Sequence, residues 1–261
     1  VGKLLSQAGK HYGDGIIKEY SQKLKIELDR SYSVRLLYRI LKYYNFISKG
    51  NLPTVSANLS WSHYDEILRL DDYNKINYYI KIIEEQNLSV RQLRERIKSN
   101  EYERLPVNTR NKLISKQESN IIDFVKNPII LKNNDNYEII SEKVLQRLII
   151  EDIPSFLEEL GEGFAFIKNE YKIKLGNRYN YIDLLLFNIK YDCYVVVELK
   201  ITELKKEHIG QIQVYMNYVD QNIRKFNQNK TIGIIICKQD NKYVIKYCSD
   251  ERIISREYMF I

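Results

Sequence analysis

The chain has 261 residues, 44% hydrophobic and 29% charged, with a formal net charge of +7. This length suits one large domain or two modest ones, and the basic balance fits a polyanionic partner without requiring one. Three scattered cysteines exclude a disulfide framework and a four-ligand zinc site, and no apolar run approaches the ~18 residues of a transmembrane helix. We therefore expect a cytoplasmic protein with no membrane contact. Because the first residue is Val1 and not Met, we also expect a piece of a longer protein.

Residues 1–106 predict an all-α module, because apolar residues recur at helical spacing and polar residues that can cap helices precede most segments. A loop containing Gly50 and Pro53 interrupts the module. We interpret Trp61 and His63 as structural residues at a helix start. The predicted helices are Ile16–Leu28, Val34–Ile47 after Ser33, Tyr64–Leu70 after Ser60 or Ser62, Tyr73–Gln86 after Asp72, and Val90–Glu103 after Ser89.

The densest basic run of this module comprises Arg91, Arg94, Arg96 and Lys98. A polar cap, a basic first turn and a buried Leu also occur in the recognition helices of helix-turn-helix domains. One hypothesis is that Arg91 and Arg94 contact nucleic acid. The alternative is a solvated charged face, which is common on ordinary amphipathic helices.

Residues 107–136 predict a linker with a short helical piece near Ile121–Val125, and residues 137–261 predict a second domain. Its first helix, Ser141–Leu160, is divided or kinked by Pro154 and ends at Gly161. The order αβββαββ favours a mixed sheet flanked by helices, with a crossover from the third strand to a parallel fourth. The strands are predicted at 164–175, 179–187, 193–200, 231–237, 242–248 and 257–260, with a helix at 205–222.

Two acids and a lysine lie inside or beside apolar strands of this domain. Asp183 follows Tyr-Ile and precedes Leu-Leu-Leu-Phe, and Glu198 and Lys200 end a Val-Val-Val run. If residues 188–192 turn a hairpin, antiparallel pairing brings Asp183 within about one residue of Glu198. Glu198 and Lys200 then share one face of their strand. Buried acids are costly unless they are paired, hydrogen-bonded or bound to metal, so we expect a divalent-cation site here.

Asp183, Glu198 and the Leu199 carbonyl supply hard oxygen ligands suited to Mg²⁺ or Mn²⁺. Lys200 would stabilise negative charge beside them, as a charge and not as a simple base. On the next helix, Gln211 can orient a water or a phosphate, and Tyr215 either contacts the backbone of a substrate or packs in the core. Lys205 and Lys206 precede this helix and either contact phosphate or form a solvated pair.

These residues resemble the PD-(D/E)XK nuclease superfamily, which places Asp and then Glu-x-Lys on neighbouring strands. The chain is most similar to the bacterial YhcG-like nucleases, and Ile182 stands where the superfamily name has Pro. The resemblance covers nearly the whole chain, including a helical N-terminal domain of unknown function. It is carried by Leu59–Tyr64, Leu88–Leu93, Phe156–Phe166, Tyr181–Phe187, Val197–Lys200 and Gly210–Gln211.

The resemblance implies a restriction-endonuclease-like fold and a metal-dependent endonuclease that hydrolyses phosphodiester bonds of nucleic acid, with DNA expected. Related nucleases often supply a further Glu from the first helix of this domain, and alignment puts Gln146 at that position. Glu142, one helical turn earlier, is the candidate substitute. The number of metal ions therefore stays open, and Asp183, Glu198, Lys200 and Gln211 are the candidate catalytic residues.

Two other functions compete with this hypothesis. A non-catalytic DNA-binding or scaffold protein on a nuclease fold fits Gln146 but not the intact Asp183/Glu198/Lys200 set. A two-carboxylate glycosidase leaves Lys200 without a role, and the chain has no tryptophan-rich sugar platform. The sequence does not decide whether the substrate is DNA or RNA, or which sequence or structure is cut. It also does not decide between nicking and double-strand cutting, or whether the chain forms a homo-oligomer.

Overall fold

The computed structural model describes residues 2–9, 15–28, 32–48, 59–115, 121–248 and 250–261. The chain divides into two compact units, Val1–Tyr102 and Glu103–Ile261. The predicted loop around Gly50 and Pro53 lies outside the described residues. Within the described ranges, no helix is both long enough and apolar enough to span a bilayer.

The first unit is helical, as the sequence predicts. Ser33 accepts a hydrogen bond from the Leu36 amide, Asp72 from the amides of Asn74 and Lys75, and Ser89 from the Gln92 amide, so these predicted caps are confirmed. The helix after Ser89 is shorter than predicted, because the chain turns at Asn100, whose φ is +52°. The helices are α1 (Gly2–Gly9), α2 (Gly15–Leu28), α3 (Val34–Ser48), α4 (Trp61–Ile67), α5 (Tyr73–Gln86), α6 (Val90–Lys98) and α7 (Glu101–Arg104), which crosses the division.

The second unit contains a six-stranded sheet with helices on both faces. Pro154 lies in the first turn of a new helix, so the predicted division of 141–160 is confirmed. The elements are α8 (Val107–Ser115), a 3₁₀ helix (Ile121–Phe124), β1 (Ile129–Leu131), α9 (Glu142–Glu151), α10 (Ile153–Leu160), β2 (Phe164–Leu175), β3 (Arg178–Asn188), β4 (Cys193–Glu203), α11 (Lys206–Asn222), β5 (Asn229–Gln239), α12 (Lys242–Lys246) and β6 (Ile253–Phe260).

The sheet has the order β1-β6-β5-β4-β3-β2. β2, β3 and β4 are antiparallel neighbours, whereas β4, β5, β6 and β1 are parallel neighbours. The predicted parallel pairing of the strands on either side of α11 is confirmed. One correction concerns the predicted linker, residues 107–136. It contains β1, which pairs with β6 from Ile129↔Tyr258 to Leu131↔Phe260 and therefore belongs to the sheet.

The predicted strand at 242–248 is wrong, since residues 242–246 form the short helix α12. The Asn241 side chain accepts hydrogen bonds from the amides of Tyr243 and Val244, and this cap starts a helical turn in a segment whose Tyr, Val and Ile favour a strand. The partner of β5 is instead β6, which extends the predicted strand at 257–260 back to Ile253. The order αβββαββ is retained, with β6 as its last strand.

Each face of the sheet is covered by its own apolar core. Leu184, Leu186 and Val197 pack on the side of α9 and α10. The opposite core contains Leu185 and Val196 together with the buried face of α11, formed by Ile212, Tyr215, Met216 and Val219. These four residues recur at the spacing of a helix face.

Gly233 on β5 sets how closely α11 approaches the sheet. A Cβ atom at this position would lie 2.6 Å from the Met216 Sδ and 2.9 Å from the Ile212 Cδ1. A side chain at this position would require the Met216 and Ile212 side chains to move. The glycine therefore lets these two residues of α11 pack directly on the backbone of β5.

Candidate functional site

The β3–β4 hairpin brings the two predicted acids together. β3 ends at Asn188 and β4 begins at Cys193, and the pairing runs from Asn188↔Cys193 to Leu184↔Val197. The predicted hairpin register is confirmed over these five pairs, and the next position along it would bring Asp183 opposite Glu198.

Asp183 lies where the regular pleat of β3 breaks. Ile182 and Leu185 pack in the same core, the one on the α11 side, while Leu184 packs in the other. Strict alternation would put Ile182 with Leu184. The neighbouring strand is irregular at the same level, where Glu170 has a φ of +46°. The break leaves Asp183 outside the ladder and free to use its side chain locally.

The Asp183 carboxylate accepts a hydrogen bond from a backbone amide of β4, in place of a backbone carbonyl of β3. Its Oδ2 accepts a hydrogen bond from the Leu199 amide at 2.8 Å, and its own carbonyl accepts one from the Gln146 Nε2 at 3.0 Å. Gln146 therefore holds the backbone of Asp183 in place. The carboxylate of Asp183 is fixed against β4, beside Glu198.

Glu198 and Lys200 form a buried pair on the α11 side of β4. Their exposed fractions are 1% and 8%, and the Lys200 Nζ donates to the Glu198 Oε2 at 3.2 Å. The second carboxylate oxygen, Oε1, is buried and accepts no hydrogen bond. An unsatisfied buried acceptor is costly, and a bound cation is one way to satisfy it.

The electrostatics of the site favour an added positive charge. Burial raises the pKa of Glu198 to about 8, and the neighbouring Asp183 charge adds to the rise, against the opposing effect of Lys200. Burial also raises the pKa of Asp183, with Glu142 and Glu170 contributing, while the Leu199 amide and Lys200 oppose it. Burial alone would lower the Lys200 pKa, but the carboxylates of Glu198 and Asp183 raise it above its ordinary value. A single ammonium thus serves two carboxyl groups.

The first half of α11 presents polar residues toward this pair. The Gln211 Nε2 donates to the Tyr215 hydroxyl at 3.2 Å, and Tyr215 is buried in the core, as one of its two predicted roles requires. Burial and the Lys200 charge lower the pKa of His208. His208 is absent from the residues predicted from the sequence. The signal that could have found it is its spacing, three residues before Gln211 and seven before Tyr215, on one helix face.

The residues present fit a divalent cation. Carboxylate oxygens are the hard ligands that such a cation prefers. Here one buried carboxylate oxygen has no hydrogen-bond partner, and the pKa values of both carboxyl groups are raised because too little positive charge lies nearby. Among the described residues, no three His, Cys, Asp or Glu side chains are grouped so that they could hold a metal ion together. Asp183 and Glu198 are thus the two side-chain candidates, which suits Mg²⁺, an ion often bound through one or two carboxylates and water.

Of the remaining predicted residues, Glu142 acts on this pair through its charge, which raises the pKa of Asp183 and of Lys200. Glu142 is exposed at the start of α9, and Lys205 and Lys206 are exposed at the start of α11. Lys206 also lines a cavity of about 660 Å³ whose lining includes neither predicted acid. In the helical unit, Arg94 pairs with the buried Glu66 at 2.7 Å. Arg91 is 89% exposed and lies 3.4 Å from Glu95, as on a solvated charged face, and the contact of Arg91 and Arg94 with nucleic acid stays a prediction.

Two family models match the chain. The YhcG PDDEXK nuclease domain matches residues 122–259, and the DUF1016 N-terminal domain matches residues 1–104. A curated relative from Escherichia coli (strain K12), named "Putative nuclease YhcG", is 23% identical over 269 residues, which cover 89% of this chain and 72% of the relative.

Two solved structures are similar over about half of each chain. One is described as a crystal structure of a repair endonuclease from Pyrococcus abyssi, with 20% identity, a TM-score of 0.32 and coverage of 48% of this chain and 48% of that one. The other is the structure of an EndoMS–dsDNA2 complex, with 19% identity, a TM-score of 0.34 and coverage of 49% of this chain and 48% of that one.

The family match extends over more than half of the chain and contains the whole of the Asp183, Glu198 and Lys200 arrangement. The mixed sheet with helices on both faces is the architecture expected for that domain. The chain therefore belongs to the YhcG PDDEXK nuclease domain family, with a DUF1016 N-terminal domain before the nuclease domain.

Proposed function

We propose that this protein is a divalent-metal-dependent endonuclease that hydrolyses phosphodiester bonds of nucleic acid, with DNA as the first substrate to test. The observation that carries the proposal is the buried Glu198 carboxylate, which has one oxygen without a partner and lies beside Asp183 and Lys200. Mg²⁺ or Mn²⁺ would be held by Asp183, Glu198 and the Leu199 carbonyl. When bound, such a cation supplies Lewis-acid activation and neutralises phosphate charge.

The protein groups have separate roles in this proposal. The Leu199 amide orients the Asp183 carboxylate, and Gln146 fixes the backbone of Asp183 from α9. Lys200 carries the positive charge that stabilises the negative charge developing on the phosphoryl oxygens. Its raised pKa keeps it protonated at neutral pH, which suits this role and not that of a general base.

Gln211 is proposed to position the scissile phosphate or the attacking water. Its amide nitrogen donates to the Tyr215 hydroxyl, which orients the amide and leaves its oxygen as an acceptor. Tyr215 therefore acts through Gln211, from within the core. The three cysteines are free thiols, which supports a reducing, cytoplasmic environment.

A scaffold or binding protein without catalysis is the second candidate, favoured by one observation. Gln146 occupies a position at which a carboxylate would add a third ligand, and it hydrogen-bonds to a backbone carbonyl instead. Two carboxylates bind a cation more weakly than three, so a site of this kind would be a weaker catalyst, whereas basic side chains elsewhere can bind nucleic acid without a metal.

The test is cleavage of supercoiled and linear DNA by the full chain in Mg²⁺, Mn²⁺ or EDTA, with RNA in parallel. We expect cutting that requires the metal and falls at least about 100-fold in Asp183→Ala and Lys200→Ala, the loss typical for removal of a charge-stabilising group. The control is Lys190→Ala, whose side chain is 53% exposed and pairs with Glu162 outside the site. Binding without cleavage on every substrate would favour the scaffold, and cutting that survives in EDTA would refute the metal mechanism.

A further inference from the structure

The distal part of the β2–β3 hairpin separates from β4, which continues beside β5 to Glu203. β3 pairs with β4 only from Leu184 to Asn188, whereas it pairs with β2 as far as Leu175↔Arg178. The five pairs from Tyr171↔Ile182 to Leu175↔Arg178 therefore form a two-stranded ribbon, here called the arm. At about 3.4 Å per residue it is roughly 15 Å long.

One face of the arm is packed and the other is exposed. Ile173 and Ile182 are 1% and 0% exposed and belong to the core on the α11 side, with Tyr171 packed against them. This packing stabilises a two-stranded ribbon that would be marginal alone. The arm is thus a rigid part of the second unit, and its opposite face is held toward solvent.

The outer face consists of two tyrosines and two lysines in direct cross-strand pairs. Lys172 pairs with Tyr181, and Lys174 pairs with Tyr179, so all four side chains lie on the same face. Tyr179 and Tyr181 are 58% and 51% exposed, and the Lys172 Nζ lies 3.8 Å from the centre of the Tyr179 ring. We call this set the tyrosine–lysine face.

The charge around this face is suited to a polyanion. Residues 167–182 contain four basic side chains and one acidic side chain, Glu170, which gives a local net charge of 4 − 1 = +3. Within the described chain, no ion pair involves Lys172 or Lys174. Their charges are therefore available to phosphates. The basic side chains are Lys168, Lys172, Lys174 and Arg178.

The tyrosines distinguish unpaired from paired nucleic acid. Two residues apart on one strand, their Cα atoms are about 7 Å apart, twice the rise of about 3.4 Å between stacked bases. An unpaired base can lie on either ring or between them, whereas the faces of bases inside a duplex are covered by their neighbours. Stacking on aromatic side chains is the usual way in which proteins hold single strands.

We propose that the tyrosine–lysine face binds unpaired nucleotides near the Asp183 end of the candidate site, so that the substrate class is nucleic acid with a single-stranded segment. Tyr181 is two residues before Asp183 on the same strand, about 7 Å along it, so nucleotides bound on the arm lie close to this acid, on the side of the sheet opposite Glu198 and Lys200. The proposal rests on the proposed function, since it names the substrate of that site. Lys172 and Lys174 bind the phosphates, and Tyr179 and Tyr181 stack on the bases.

The test measures binding of the full chain to labelled single-stranded and duplex DNA of equal length, in EDTA so that no cutting occurs. We expect single strands to bind more tightly, and each of Tyr179→Ala and Tyr181→Ala to weaken that binding about tenfold, the usual effect of losing one stacked base. Tyr179→Phe and Tyr181→Phe keep the rings and should bind as the wild type does. The matched control is Tyr243→Ala, a tyrosine of the same unit that is 76% exposed on α12.

An oligonucleotide with abasic positions isolates the stacking contribution. With it, the wild type and the two alanine variants should bind equally, because no base remains to be stacked. Equal losses in Tyr243→Ala, unchanged binding in both arm variants, or a preference for duplex DNA would each overturn the proposal.

The measurements distinguish failure of the nuclease proposal from failure of the single-strand site. Tyrosine-dependent binding without metal-dependent cutting would refute the nuclease and leave the single-strand site. Cutting that depends on Asp183, together with arm variants that bind normally, would refute the single-strand site and leave the nuclease. A matched thermal melting curve for each variant excludes loss of folding as the cause.

Discussion

Two clusters of buried charge in the second unit differ in how completely they are satisfied. Beside α10, the Glu159 carboxylate accepts from both terminal nitrogens of Arg104 and from the Ile130 amide at 2.9 Å, with the Lys126 ammonium at 3.8 Å. Beside α11, Glu198 has one ammonium partner for one oxygen and none for the other.

The two glutamates respond oppositely to burial. Burial pushes the pKa of Glu159 upward, but Arg104 and Lys126 hold it below its ordinary value. For Glu198 burial prevails and the pKa rises to about 8. A cluster with two cations per carboxylate stabilises the fold, whereas a cluster with two carboxylates per cation has capacity for a further positive charge. The difference separates a structural charge cluster from the one that we propose to bind a cation.

The largest expected effect comes from removing the satisfied carboxylate. Glu159→Gln leaves the buried charges of Arg104 and Lys126 without their anion, so we expect the free energy of unfolding to fall by about 3–5 kcal/mol. Denaturant unfolding at pH 7 measures the loss. The control Glu151→Gln breaks a pair whose side chains are 62% and 43% exposed, and it should cost less than about 1 kcal/mol. Similar losses of unfolding free energy in both variants would show that the buried Glu159 cluster contributes no more to stability than an exposed ion pair.

Removal of the unsatisfied carboxylate should have a smaller effect that depends on pH. The pKa of Glu198 is raised from 4.5 to about 8, so the folded state binds more protons than the unfolded state between these values. Stability without metal therefore falls as pH rises from about 4.5 to about 8. Glu198→Gln removes this fall, and its stability relative to the wild type should increase by about 3 kcal/mol from pH 5 to pH 8.

The measurement for Glu198→Gln is denaturant unfolding in EDTA at several pH values. For Glu159 the stability changes with pH in the opposite direction. Its lowered pKa contributes stability above about pH 4.5, and this stability is lost as pH falls through the folded-state pKa. Glu159→Gln should thus flatten the acidic part of the profile, and Glu198→Gln the part between pH 4.5 and pH 8. A wild-type profile that does not fall with pH in that upper range would refute the raised pKa.

The candidate site was largely predictable because its geometry is local. Asp183 and Glu198 are joined by one hairpin, so counting residues across the turn gave their register, and the alternation of side chains placed Lys200 beside Glu198. Periodicity and capping residues were also sufficient for the helices after Ser33 and Asp72, and for the start of the helix after Ser89.

What could not be predicted depends on contacts that are distant in sequence or on a local exception. β1 is three residues long and pairs with the last strand of the chain, which nothing in its own sequence indicates. At residues 242–246, the Asn241 cap outweighs the strand propensity of the side chains. The irregularity of β2 at Glu170 and the field of Lys200 at His208 appear only when the strands and α11 are assembled.

The smallest effect tests whether a third carboxylate would complete the unsatisfied cluster. Gln146 donates to the Asp183 carbonyl at 3.0 Å, so its side chain already lies beside the site. Gln146→Glu removes this donor and adds negative charge, which should lower stability in EDTA by about 1 kcal/mol. In saturating Mg²⁺ the added ligand should increase the stabilisation by the cation by about 1 kcal/mol over that of the wild type.

Thermal melting with and without Mg²⁺ measures both effects of the Gln146 substitution. Gln146→Ala is the matched variant, because it loses the same hydrogen bond without adding a carboxylate, and its stabilisation by Mg²⁺ should equal that of the wild type. If the glutamate and alanine variants respond alike to Mg²⁺, position 146 does not reach the cation. The two acids on β3 and β4 would then have to bind it with water and backbone oxygen alone.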